Sequence, residues 1–290
     1  MRQQRYGFGV LLVVIGSVFL STNGIMLRNI EQADAWQVLF FRGIAFSVTV
    51  FLILLLHYRA KTKRMFLAIG QRGVWAGVAL GLASFFYVFA LMHTTVANAV
   101  FIIGSAPLAT AFVAWVVLRE RMSNVGIVTM VISLAGIGLL FADGIVDGRW
   151  FGNVMALGVV ATFIVYLMIL RDNLDIDMLP AACLGGVVMA IVGFAGAEHL
   201  SITAHDMALS LAMGCVQLTV GFICYTIAVR HILAAQVAFF ALTETILSPI
   251  WVWLGIGETP SRLAIVGIVI VLMSVTVYSV MEMAREKSSI

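Results

Sequence analysis

Charge is what this sequence has least of: 11% of its 290 residues are Asp, Glu, Lys or Arg, where a soluble domain uses roughly 25% to cover its surface. That shortage excludes an ordinary water-soluble globule, because 62% of the residues are hydrophobic and the mean hydropathy is +1.10. Lipid is the missing solvent. No basic cluster is interleaved with aromatic residues, which excludes a nucleic-acid surface. The three cysteines, Cys183, Cys215 and Cys224, all lie in apolar runs. They lack the C-x-x-C spacing of a zinc site and are too few for a disulfide framework, so they read as small core residues. Enzymatic equipment is missing as well. There is no H-E-x-x-H metal motif, no G-x-S-x-G nucleophile elbow and no G-x-x-x-x-G-K-[ST] phosphate loop, and neither a metal nor a cofactor is expected.

What is present is a succession of apolar runs of bilayer-spanning length, about 20 residues each. They fall at 7–28, 36–57, 73–93, 97–118, 125–142, 150–170, 180–198, 207–229, 232–254 and 263–282. Short polar breaks such as Asn29–Asp34 and Arg119–Asn124 separate them. A backbone in hydrocarbon must satisfy its own hydrogen bonds, so all ten runs are expected to be helices. The first follows Arg2 and Arg5 as a signal peptide would. It is too long for a signal core, however, and no A-x-A site follows, so it reads as a retained helix. With the N-terminus inside, 13 of the 17 basic residues fall in inside segments; Arg28, Arg42, Arg149 and Arg262 are the exceptions. This asymmetry supports ten crossings with both termini cytoplasmic, in the inner (plasma) membrane of the cell.

The chain also repeats itself. A shift of 138 residues sets Tyr87 over Tyr225, Ala90 over Ala228, His93 over His231 and Ala97 over Ala235. It continues with Phe101 over Phe239, Trp115 over Trp253, Glu120 over Glu258 and Ser123 over Ser261. A shift of 143 pairs Gly9 with Gly152 and Arg28 with Arg171. The expected architecture is therefore an all-α membrane protein of ten transmembrane helices in two five-helix repeats, residues 1–143 and 144–290. An odd number of helices per repeat inverts the second copy, the arrangement of carriers that expose one central site to each side in turn.

The stretch Ala97–Leu140 opens A-N-A-V-F-I-I-G-S-A-P-L-A-T-A-F-V-A-W-V-V-L-R-E-R, with Pro107 thirteen residues before Glu120. It resembles the EamA repeat of the drug/metabolite transporter superfamily, and Ala235–Ser279 keeps the closing acid in Gly257-Glu258. The resemblance spans essentially the whole chain. It implies a ten-helix transporter with cytoplasmic termini, similar to bacterial exporters of amino acids and related metabolites. Where the family's second repeat often has Glu-Pro, this chain has Glu244-Thr245, with Pro249 four residues later. The break in the ninth helix is therefore expected one turn nearer the outside.

Polar residues at mid-span are costly in lipid and mark function by default. Glu244, flanked by Thr243 and Thr245, is the sharpest case. An ionised carboxylate there costs several kcal/mol unless paired, so a protonated state or a polar cavity is expected, with proton coupling, amine binding or a hydrogen bond to a neighbouring helix as its role. Arg42, two turns into the second helix, is expected to snorkel outward or pair with a carboxylate; the other reading is a fork for a substrate carboxylate. Facing one cavity, Arg42 and Glu244 would suit the two ends of a zwitterion. Gln217, Tyr87, Tyr225 and Tyr166 are candidate cavity linings, and Ser17, Asn23, Ser84 and Asn98 weaker ones. Trp251 and Trp253 read as an aromatic belt. Pro107 and Pro249 remove backbone donors and are candidate hinges, with a plain packing kink as the alternative. Gly73, Gly77 and Gly81 make a smooth stripe for close helix packing.

Export of small amphipathic metabolites, amino acids first, by alternating access is the expected function. The alternative is uptake of a cationic or nucleoside-like metabolite, and an intramembrane enzyme is the remote one. Expected partners are a small-molecule substrate, protons and the lipid bilayer, with no nucleic acid, in a monomer or weak homodimer.

Overall fold

Ten helical segments are long and apolar enough to cross a bilayer in the computed structural model, which describes residues 2–117, 124–171, 173, 176–228, 231–232 and 234–288. In chain order the spans are Tyr6–Arg28, Ala35–Ala68, Gly70–His93, Val96–Val113 and Asn124–Val146. Trp150–Leu170, Leu179–Gly196, Ala204–Ala228, Phe239–Ile256 and Arg262–Met281 follow. Each matches an apolar run of the sequence. The largest difference is in the second, which continues through a 3-10 turn at Arg59–Lys61 into the short helix Thr62–Ala68. Ten crossings return the chain to the side where it began, so the loops 29–34, 94–95, 147–149, 197–203 and 257–261 share the end remote from the termini. Glu120, Arg119, Arg121 and Arg230, which carried part of the repeat and orientation arguments, lie outside the described residues.

Local chemistry fixes several helix starts. Asp34 and Gln37 form a reciprocal capping box at the second span, and Thr95 and Thr203 accept from Asn98 and Asp206 amides at the fourth and eighth. Such side chains satisfy amides that have no intrahelical acceptor.

Close glycine contacts set the packing. A Cβ on Gly43 would lie 2.6 Å from the Ala190 amide nitrogen, and one on Gly193 would lie 2.5 Å from that of Phe40, so the second and seventh spans touch backbone to backbone. Of the expected glycine stripe, Gly77 and Gly81 meet the seventh span at Leu184 and Val188, whereas Gly73 meets Ile69 of its own approach. The third span packs on the sixth, and the first on the eighth; the first meets the ninth, and the fourth the sixth. The second meets the eighth, the third the seventh, and the second–seventh and fifth–tenth contacts are extensive. Advancing every span by five maps these eight pairings onto one another, whereas the contact of the fourth span with the tenth has no such counterpart between the ninth and the fifth among the described residues.

Three spans depart from regular α-helix at depth. The first is interrupted at Thr22 between Arg2–Ser21 and Asn23–Arg28, and the fourth at Ser105 between Val96–Gly104 and Ala106–Val117. Pro107 thus stands in the first turn of a new half-helix, where it removes no interior hydrogen bond. The eighth span carries a π-turn at Met213–Leu218. The ninth runs without a break from Ala234 to Ile256 with Pro249 inside it. The expected interruption after Glu244 is therefore absent; the proline only withdraws one donor from the Thr245 carbonyl.

Candidate functional site

Arg42 does neither thing expected of a structural arginine. It is 2% exposed, so it does not snorkel, and the ion pairs of the described residues are Arg28–Glu258 and Arg149–Asp147. Its Nη1 reaches the Asn23 side-chain oxygen at 3.5 Å, its guanidinium carbon sits 6.0 Å from the centre of the Tyr87 ring, and its Nε is buried with no partner. The break at Thr22 restarts the first span at Asn23, a buried residue facing this guanidinium. Tyr87 neighbours Asn23 and lies close enough to both Arg42 and Glu244 to feel both charges.

Glu244 is half-buried at the middle of the ninth span. The Tyr225 hydroxyl sits 2.8 Å from the Ser17 hydroxyl and neighbours the Glu244 carboxylate. Gly16 lets this happen, since a Cβ there would meet the Tyr225 ring at 2.9 Å. The repeat-related tyrosines thus converge from the third and eighth spans on one carboxylate. Gln217, within the π-turn, donates to the Leu20 carbonyl at 3.1 Å just before the break in the first span, and its own oxygen is buried without a partner. Ser84 is buried one turn before Tyr87 on the same helix.

Two candidates belong elsewhere. Tyr166 is buried in an aromatic stack with Phe163 at 5.9 Å and Phe222 at 6.3 Å. Asn98 donates to Asp143 Oδ2 at 3.0 Å near the loop end. Trp251, read as part of a belt, instead turns inward and donates to the Ser21 hydroxyl at 2.9 Å, while Trp253 is 56% exposed.

The loop end carries a polar seal that the sequence did not reveal as such. Arg28 donates to Glu258 at 2.7 Å, to the Leu91 carbonyl at 2.8 Å and to the Thr94 carbonyl at 2.6 Å. Glu258 also accepts the Val96 amide at 2.7 Å. Asp143 accepts from the Ser261 hydroxyl as well as from Asn98, and Asn153 links the Thr94 hydroxyl to the Leu140 carbonyl. Asp206, in the first turn of the eighth span, spends its carboxylate on the Glu31, Gln32 and Ala33 amides at 2.9–3.0 Å. The signals available were Glu258 as a motif acid and isolated Asp143, Asn153 and Asp206 at the ends of apolar runs. Among the described residues no cluster of His, Cys, Asp and Glu could hold a metal ion.

Residues 7–142 match the EamA-like transporter family. An uncharacterized transporter of Clostridium kluyveri is 23% identical, covering 91% of this chain and 90% of that one. An uncharacterized membrane protein of Saccharomyces cerevisiae is 30% identical over 141 residues, covering 47% of this chain and 33% of its own. A crystal structure with 14% identity superposes with a TM-score of 0.67 over 94% of this chain and 98% of its own, a likeness of fold.

Proposed function

We propose, from the premise that this chain belongs through residues 7–142 to the EamA-like transporter family and is a membrane transporter, that it exports small zwitterionic metabolites, amino acids first, by alternating access. The observation that carries this reading is Arg42: a guanidinium buried at 2% exposure, with a free Nε and no carboxylate partner among the described residues, near the same Tyr87 as Glu244. A buried cation without a counter-charge is strongly unfavourable, and a substrate carboxylate would supply both the charge and the planar acceptor geometry. The ammonium group at the other end of the same molecule would then meet Glu244, with Tyr87 and Tyr225 spacing the two poles.

In this scheme residues 1–143 and 144–290 are the two inverted halves, and the eight interspan pairings that map onto one another on a five-span shift support that division. Exchange of conformation between halves would open the loop-end seal while closing the opposite end. Both termini are cytoplasmic in the inner membrane, following the basic-residue asymmetry, so the sealed end faces out. The Ser17–Tyr225–Glu244 chain offers a proton a route to and from the carboxylate, so export is coupled to proton exchange there. The working unit is a monomer.

Counterflow in proteoliposomes, with labelled amino acids, amines, nucleosides and carboxylates, tests the reading. Exchange of α-amino acids, with loss when either the amine or the carboxylate is masked, is the expected result. Exchange of amines or nucleosides without a carboxylate would instead favour a cation carrier, with Glu244 as counter-charge and Arg42 structural.

A further inference from the structure

We propose that the groove between the second and seventh spans, together with the basic turn at its end, is a binding site for one anionic phospholipid. The groove is continuous along the bundle's outer face. One end, about 350 Å³, is lined by Ser47, Val48, Phe51, Phe66, Leu184 and Val187. The other, about 380 Å³, shares Ser47, Val48 and Val187 and continues to Phe40, Ile44 and Phe194. The walls are almost wholly apolar, and the backbone contact at Gly43, Gly186 and Gly193 makes the floor: side chains there are hydrogens, so the flanking residues stand up as rims. From Phe40 to Phe51 the helix rises about 17 Å at roughly 1.5 Å per residue, the length of a phospholipid acyl chain.

The groove ends at Phe66, on the short helix Thr62–Ala68, whose ring lies 6.2 Å from that of Phe51. Around that ring the chain places Arg59, Lys61, Lys63, Arg64 and, a little further on, Arg72, all exposed. None of the five is in an ion pair among the described residues. The sequence holds no acid from residue 35 to residue 119. In sequence, the stretch 171–177 holds Asp172, Asp175 and Asp177 beside Arg171, so the two segments together carry a formal excess of three positive charges. Of these, Asp177 is engaged by the Tyr58 hydroxyl and the Leu179 amide, and Arg72 reaches Asn173 at 3.4 Å. Leu56 and Leu67, 77% and 72% exposed, flank the turn and give it the apolar flanks of an interfacial segment. An apolar slot of acyl length that opens onto unpaired cations at headgroup depth fits a lipid with a negative head, and fits neither a zwitterionic head nor a free phosphate equally well.

The test is native mass spectrometry of the purified full chain, titrated with phosphatidylglycerol and phosphatidylcholine of matched chains. The wild type is expected to retain phosphatidylglycerol at least about tenfold better, given the attraction each near-surface cation contributes. The triple variant Lys61→Gln, Lys63→Gln, Arg64→Gln should bring phosphatidylglycerol down to the phosphatidylcholine level. Val187→Trp, at a lipid-facing position, fills the slot and should weaken both lipids while keeping their ratio. Val48→Trp does the same from the other wall if the first variant does not purify as a single species. Glycerol phosphate should not compete. Equal retention of the two lipids by the wild type, a preference that survives the triple variant, or competition by glycerol phosphate would each overturn the proposal. So would a dimer in which the groove is occupied by a second copy and Val187→Trp yields monomers with no change in lipid preference.

Discussion

Replacing Arg28 with Gln should unlatch the loop end of the bundle, and the structure says by how much. Three donor atoms of one guanidinium hold Glu258, the Leu91 carbonyl and the Thr94 carbonyl, tying the first span to the third-to-fourth turn and to the ninth-to-tenth turn. Hydrogen bonds to charged groups are worth about 1.5–3 kcal/mol each, and stripping one partner from a fully buried pair costs about 3–5 kcal/mol. These side chains are 23% and 20% exposed, so water recovers part of that loss and about 2 kcal/mol is a fair figure. That corresponds to about a thirty-fold shift from the closed toward the open form. Ser248, 1% exposed and next to Gly24 and Val96 beneath the seal, can report it. With the three native cysteines removed, Ser248→Cys should react with a membrane-impermeant maleimide about thirty times faster when Arg28→Gln is added. Exchanging the charges, Arg28→Glu with Glu258→Arg, distinguishes two accounts of the latch. A simple ion pair would be restored. Here the new carboxylate would face two carbonyl oxygens and the new guanidinium would face the Val96 amide, so labelling should stay fast. An unchanged rate in Arg28→Gln, or slow labelling in the exchanged pair, would refute the reasoning.

Arg42→Lys keeps the charge but not the fork and should lower amino-acid counterflow about tenfold, whereas Arg42→Gln should lower it at least a hundredfold, the range expected on losing a buried charged partner. Glu244→Gln should abolish substrate-driven proton flux in vesicles while retaining part of the counterflow; full proton flux in that variant would remove Glu244 from coupling. Gly43→Ala forces a Cβ to within 2.6–2.8 Å of the seventh span's backbone and should destabilise the protein by about 1–3 kcal/mol, the usual cost of overpacking. A melting curve in detergent reads it, and an unchanged midpoint would mean that the two helices separate freely.

The sequence carried the fold well because the bilayer constrains it harshly. Every apolar run long enough to cross had to be a helix, and each of the ten became one. It failed where tertiary context chose between local options. The Glu244-Thr245…Pro249 spacing suggested a broken ninth helix, yet one missing donor did not interrupt it. The interruptions came instead at Thr22, at Ser105 and in the π-turn around Gln217, none of which carries a strong local breaker of its own apart from Pro107 after Ser105. Arg42 was legible as an anomaly but not in its environment, since nothing local to residue 42 tells which way the helix is rotated. The seal was hidden for a related reason: Arg28, Glu258, Asp143 and Asp206 stand near helix ends, where charge is ordinary, and only the packing of distant spans turns them toward one another.

Seal and site differ in how well their polar groups are satisfied, and that difference separates holding from binding. At the loop end, the Arg28 guanidinium has three acceptors, both Glu258 oxygens are taken, both Asp143 oxygens are taken, and Asp206 takes three amides; the Asn98 side-chain oxygen and the Arg149 Nε are the buried atoms left over there. Such a network rigidifies, because each of its carboxylates is fully engaged. At mid-bundle the Arg42 Nε, the Gln217 oxygen and the Ser248 hydroxyl are all buried with nothing to bond. Each costs stability as it stands. A fold that closed this region for stability alone would have paired Arg42 with Glu244, since both charges reach Tyr87. Keeping them apart, with a phenol between, leaves a donor and an acceptor of opposite charge to be satisfied by a third molecule.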